Sequence, residues 1–283
     1  MKKLIFIPLF VLLFAVSAIA ETDMPQEVRD TRHALMTGSL VVKGEGAAPQ
    51  DRPLSPAQKR IMALRAAKIM AARELSEVVD GISISGETTV VNAAAASDTI
   101  KSSVQGLIKG AQVVKEVYDP VSEMAVVYLS MPMTGSNGLV ASILPQVLMS
   151  APPAAAPPYM PPPTAPEVKP AAFDGLILDA REQAFKPALI NRVVTKGGEV
   201  LYDPAKVAQN ILVERGAAEY TNDVGKAKAL LGERGASNPA VVKVSGVIKS
   251  TDVEVSPEDA SAIFSSNQTA HYLEGAKVVF VLK

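Results

Sequence analysis

The run Ser55-Pro-Ala-Gln-Lys-Arg-Ile-Met-Ala-Leu-Arg-Ala-Ala-Lys-Ile-Met-Ala-Ala-Arg-Glu-Leu75 carries its own boundary signals. Ser55 is the N-cap, Pro56 takes the first helical position, and Gln58, three residues on, completes a capping box. The run predicts a helix from Ser55 to about Val79 that stops at Gly81. Ala63, Ala67, Ala71 and Leu75 recur every four residues, giving a row of small side chains along which another element can approach closely. Arg60, Arg65 and Arg73 fall outside that row.

On the N-terminal side of this helix, Leu40 to Gly46 reads as a short strand ending in a glycine turn. On the C-terminal side, the alternation of Ile82, Ile84, Thr88 and Val90 predicts a strand or a pair of strands. Ser97 to Ile108 reads as a second helix, closed by Gly110. Val113–Tyr118 and Met124–Met131 form a hairpin around Asp119-Pro-Val-Ser-Glu123, a good turn sequence. Leu139 to Leu148 is amphipathic without basic residues, which favours a cap on the core over a helix lying on anionic lipid. Residues 37–150 thus read as one α+β domain.

Nine of the twenty residues from Ala151 to Pro170 are proline. Each fixes φ and lacks a backbone donor, so the stretch predicts an extended linker of about 60 Å at ~3.1 Å per residue. Beyond it, residues 171–283 read as a second domain. Gly175 to Arg181 is a strand and turn, Ile190–Thr195 and Glu199–Tyr202 form a hairpin, and Asp203 with Pro204 opens a helix. Ala227–Leu231 is helical, Val241–Ile248 a strand, Ser256–Phe264 a capped helix and Val278–Leu282 a final strand. The expected class is α+β: two small domains, each a mainly antiparallel sheet packed with helices.

The start of the chain sets its destination. Lys2 and Lys3, the apolar run Leu4–Val16 and Ala18-Ile-Ala20 form a secretory signal peptide cleaved after Ala20. Residues 21–36 read as a flexible lead-in. Without its first 20 residues the chain keeps 263, with 26 basic groups against 29 acidic, and no later segment is apolar enough to span a bilayer. A net charge of −3 with no basic cluster argues against a nucleic-acid partner. There is no cysteine, hence no disulfide or lipid attachment, and no tryptophan to build a sugar-stacking platform.

Lys43-Gly-Glu-Gly46, the helix from Arg60 to Leu75, Val79-Asp-Gly-Ile82 and Val104-Gln-Gly-Leu-Ile-Lys-Gly-Ala111 together resemble the twenty-kilodalton outer-membrane lipoprotein family. That family includes flagellar FlgP and the N-terminal domain of FlgT. The resemblance covers about a hundred residues. It implies a non-catalytic envelope protein at the outer membrane, in some members assembled into rings, here without the lipidated cysteine. The segment around Asp179-Ala-Arg181 is similar to one that follows such a domain in many envelope proteins, with Glu182-Gln-Ala184 where a glycine is usual.

Little in the sequence supports catalysis. His33 and His271 lie far apart, and no phosphate loop or nucleophile elbow is present. Asp179 and Arg181, two apart on a strand, would share a face. They either brace a loop or act as general base and anion clamp of a periplasmic hydrolase. The helix after Leu54-Ser55, with Arg60 or Arg65, superficially resembles the peptidoglycan-binding helix of OmpA-like domains, but lacks that pattern's upstream elements. The expectation is a scaffold or assembly factor of the periplasm or outer-membrane periphery of a Gram-negative cell. Its expected partners are envelope proteins, a second copy of itself, or peptidoglycan. No cofactor or metal is expected, and the candidate interaction residues are Arg65, Arg73, Asp179, Arg181 and Arg192.

Overall fold

The structure is a computed structural model, and it describes residues 24–150, 156–161 and 172–283. The expected signal peptide and much of the proline-rich stretch lie outside the described residues. The fold is α+β.

The first half is built on a three-stranded antiparallel sheet in the order β1-β5-β4, with β1 Ser39–Ala47, β4 Gln112–Asp119 and β5 Met124–Pro132. Helix α2, Pro56–Asp80, lies across one face, and its capping box at Ser55 and Gln58 is formed. Ala63, Ala67, Ala71, Leu75 and Val79 are its buried residues. They meet Leu40, Val42, Gly44 and Gly46, every second residue of β1. Gly44 and Gly46 therefore lie inside the strand, where the sequence suggested a turn, because the alanine row brings the helix backbone too close for any β-carbon.

Two further differences mark this half. Residues 31–36, expected to be flexible, fold with Thr37 into helix α1, Thr31–Thr37, capped by Asp30, and Val28 bridges to Val41 at the edge of β1. Val90, expected in a strand, opens helix α3, Val90–Ala96, after the small strand pair β2 Ser83–Ser85 and β3 Thr88–Thr89. The Asn-Ala-Ala-Ala-Ala run that follows favours helix over strand. Helices α4, Asp98–Lys109, and α5, Leu139–Ser150, complete this half.

The second half holds two four-stranded sheets. One has the order β10-β6-β13-β9, with β6 Leu176–Asp179, β9 Glu219–Thr221, β10 Ala240–Lys243 and β13 Val278–Val281, and every neighbouring pair is parallel. This corrects the expectation of a mainly antiparallel sheet. Parallel strands are buried on both faces: Ile177, Val279 and Val281 pack under helix α7, Val224–Glu233, while Leu178, Val278 and Phe280 face the main core. The other sheet is mixed, in the order β11-β12-β7-β8, with β7 Val193–Thr195, β8 Val200–Tyr202, β11 Gly246–Ile248 and β12 Asp252–Val255. Asp203 caps a 3-10 turn, Pro204–Lys206, before helix α6, Gln209–Arg215, and helix α8 spans Pro257–Ala270.

The halves keep separate sheets but share hydrogen bonds. Leu189 N donates to Ser83 O (3.0 Å), Ile190 N to Ile84 O (2.8 Å), and Gly135 N to Val213 O (3.0 Å). The described part of the proline-rich stretch does not reach outward as an extended spacer. Tyr159 N donates to Val200 O and Val200 N to Pro157 O, both at 2.9 Å, so a single non-proline donor suffices to add the segment to the edge of β8. Tyr159 is buried and meets Phe264 edge-on at 5.6 Å.

Candidate functional site

The five arginine and aspartate candidates fall in three places. Arg65 and Arg73 stand on the exposed side of α2, opposite the alanine row. Ile61, Arg65, Ile69 and Arg73 succeed one another at intervals of four, so they share one stripe. Ile61 and Ile69 are 58% and 56% exposed, and neither arginine has an ion-pair partner among the described residues.

Asp179 and Arg181 do meet. β6 ends at Asp179, and the turn that follows folds the guanidinium back onto the carboxylate: Nε donates to Oδ1 (2.8 Å), Nη2 to Oδ2 (2.6 Å) and the Arg181 backbone N to Oδ1 (3.3 Å). The hydrogen-bonded Arg181 side chain holds the Asp179 carboxyl below the usual carboxylate range, and Asp179 in turn raises the guanidinium. Lys243, at the end of the neighbouring β10, pairs with Glu182 at 2.8 Å. The C-terminal edge of a parallel sheet is a common place for ligands. Here its charged groups are already matched to one another. With both oxygens held by a cation, Asp179 is a weak proton acceptor.

Arg192 enters a different arrangement, a cleft of about 700 Å³ where the two halves meet. Its backbone N donates to Asp252 Oδ1 (3.0 Å) and its Nε to Asp203 Oδ2 (3.3 Å). Asp203 is buried, and its other oxygen caps the 3-10 turn through Ala205 N at 3.0 Å. Burial pushes the Asp252 carboxyl up, the Asp203 charge acts in the same direction, and the Arg192 backbone N–H and guanidinium oppose it. Glu87, Arg192, Lys249 and Asp252 line the cleft over Val194, Val200 and Ile248.

One wall of the cleft turns through Lys249 and Ser250, two consecutive left-handed residues at φ 48° and 66°. Such backbone persists only where its surroundings over-determine it. Lys186 N donates to Ser250 O (2.7 Å), Gly86 N from the first half donates to Thr251 Oγ1 (2.7 Å), and Asn191 Nδ2 donates to Thr251 O.

Asn191 was not anticipated from the sequence. It is buried, its Oδ1 accepts from Ala188 N (3.1 Å) and from the Tyr220 hydroxyl, and that hydroxyl also donates to Ala188 O at 2.6 Å. Burial raises the Tyr220 phenol well above its ordinary value. Arg234 was likewise missed: its buried guanidinium donates to Glu219 Oε1 (2.6 Å), Arg215 O (2.9 Å) and Ala276 O. No spacing marks these groups, since each is defined by carbonyls brought in from distant loops. His33 and His271 are both exposed, and no group of three metal-type ligands occurs among the described residues.

Residues 175–283 match a family model described as the second domain of Treponema pallidum Tp0624, a match confined to the second half of the chain. No curated protein matches the chain. Among the described residues no helix is long and apolar enough to cross a membrane.

Proposed function

We propose that this is a non-catalytic protein of the Gram-negative periplasm or outer-membrane periphery, a scaffold or assembly factor that acts through protein–protein contacts. The observation that carries this reading is β4. It is an edge of its sheet, and Val113, Val114 and Val117 on it are between 37% and 46% exposed. Lys115 and the bulge at Val113/Lys115 guard this edge in part, yet its three exposed valines remain apolar surface that a partner could cover. The Ile61–Arg73 stripe on α2 supports the same reading. The closed Asp179–Arg181 pair gives a brace more readily than a base. The resemblance to the twenty-kilodalton lipoprotein family agrees, and a flagellar role is one form such assembly could take. The test is fractionation of native cells followed by cross-linking. A chain recovered in a high-mass envelope complex supports the reading, and one recovered only as a free monomer refutes it.

A second reading, peptidoglycan binding, is favoured by the cleft at Arg192. Two cations and two carboxylates over an apolar floor suit a stem peptide, which carries both amines and carboxylates. Co-sedimentation with purified sacculi, lost on Arg192→Ala, would establish it.

A further inference from the structure

We propose that the outward face of α2 docks an acidic amphipathic helix of a different envelope protein. The proposal deepens the contact-based reading above and rests on it.

α2 spends its small side chains on β1 and turns a cationic ridge outward. Ile61, Arg65, Ile69 and Arg73 form one row at intervals of four, and Lys68 and Ala72 belong to the adjoining row. Arg65, Lys68 and Arg73 are exposed and have no ion-pair partner among the described residues. The carboxylates nearest to hand are engaged or out of reach: Glu74 pairs with Arg29, and Glu123 takes Lys59 at the head of the helix. The chain carries a formal net charge of −1, so three unmatched cations on one helix face are a local reversal of sign. They set the charge of what the face receives.

The order of residues narrows the occupant further. A helix lying on anionic lipid gathers its apolar side chains on one face and its cations on the other. Here arginine and isoleucine alternate along a single line, so apolar anchors and charges must be met by the same surface. A second copy of α2 fits poorly. Antiparallel pairing centred on Ile69 sets Arg65 against Arg73, and parallel pairing sets each cation against itself, both repulsive. Sliding the copies until Arg65 meets Glu77 carries Ile61 past the end of the other helix at Gly81 and leaves Arg73 over Ile69. A row at intervals of four is a ridge that seats in the groove of another helix. Arg65 and Arg73 are about 12 Å apart along the axis at ~1.5 Å per residue. A partner helix with carboxylates two turns apart and apolar side chains between them meets both arginines while covering Ile69, and Ala72 leaves room for its closest approach.

Ile69→benzoylphenylalanine in the full chain, expressed in its native cell, puts a photoreactive group at the middle of the ridge. Val241, 49% exposed on β10, carries the same group in the control. Irradiation should give an adduct with one protein at position 69 and not at 241, mapped to a segment with Asp or Glu two helical turns apart. Arg65→Glu and Arg73→Glu should each lower the yield by about tenfold or more. Reversing the facing carboxylate to lysine should restore the Arg65→Glu adduct. Circular dichroism checks that each variant is folded. An adduct with a second copy, with lipid or with a segment lacking that pattern, no adduct, equal yields at 69 and 241, or a yield indifferent to the reversals overturns the proposal. If it fails in any of these ways while the chain is still recovered in a high-mass envelope complex, the scaffold reading stands. If the chain is recovered only as a free monomer, both fall.

Discussion

The backbones of Gly44 and Ala71 touch. A β-carbon built on Gly44 would come within 2.8 Å of Ala71 Cα and closer still to Ala71 N and Ala67 O, and one on Gly46 would meet Ala63 O at 2.7 Å. The alanine row of α2 and the alternate glycines of β1 are two halves of one device that lets a helix lie directly on a strand. Gly44→Ala should therefore cost more than ordinary overpacking of about 1–3 kcal/mol, because the obstruction is backbone and cannot rotate away. Ala67→Leu should fall in that range, and exposed Arg73→Leu within about 0.5 kcal/mol of neutral. Urea denaturation of the three variants checks the order.

Tyr220→Phe removes a buried donor to Ala188 O and Asn191 Oδ1. The expected loss is about 1–3 kcal/mol. Tyr118→Phe, half-buried on the edge strand, should cost much less. Equal losses in thermal melts would argue against the buried network.

Two carboxylates should respond to pH in opposite senses. Burial raises Asp252, so its folded form favours the proton, and the penalty for the charge is present above its raised value and relieved as pH falls toward the unfolded value. Asp252→Asn should stabilise the fold at pH 7 and lose that advantage near pH 4. Arg181 lowers Asp179, so that pair contributes above the unfolded carboxylate value, and the contribution is lost as pH falls through the folded one. Asp179→Asn should slightly lower the melting temperature at pH 7 and have no effect in strong acid. Melting curves across pH for both variants separate the two signs.

If Asp179 and Arg181 brace a turn, Asp179→Asn and Arg181→Lys should leave the oligomer distribution recognisable. A hydrolase would instead lose turnover by orders of magnitude while staying folded. Screening the protein against muropeptides, peptides and phosphoesters provides the measurement, and a turnover abolished by Asp179→Asn without unfolding would overturn the scaffold reading.

The elements most legible in the sequence were those set by local chemistry. The caps at Ser55, Asp203 and Ser256, the Asp119–Glu123 turn and the alanine row all follow from neighbouring residues, and all are present. The parallel sheet was there to be read as well: Leu176-Ile-Leu178 and Val278-Val-Phe-Val281 are continuous apolar runs without alternation, the mark of strands buried on both faces. Val241–Ile248 was read as one strand, yet the chain leaves the parallel sheet after Lys243 and joins the mixed sheet at Gly246. That break depends on which neighbours arrive, as does the junction of the halves, where Leu189 and Ile190 bond through backbone groups that any residue carries. The cleft at Arg192 was beyond local reading for the same reason, since Asp203, Asp252 and Gly86 reach it from three separate segments.

The order of the parallel sheet also dictates when it can form. β13 lies between β6 and β9, so β9 has no strand to join until residues 278–281 have left the ribosome. Until then the second half is a chain waiting for its central strand, with Leu176–Leu178 and Tyr220 lacking the surface they will pack against. This topology postpones closure of the sheet until β13, its last strand in chain order, has been made.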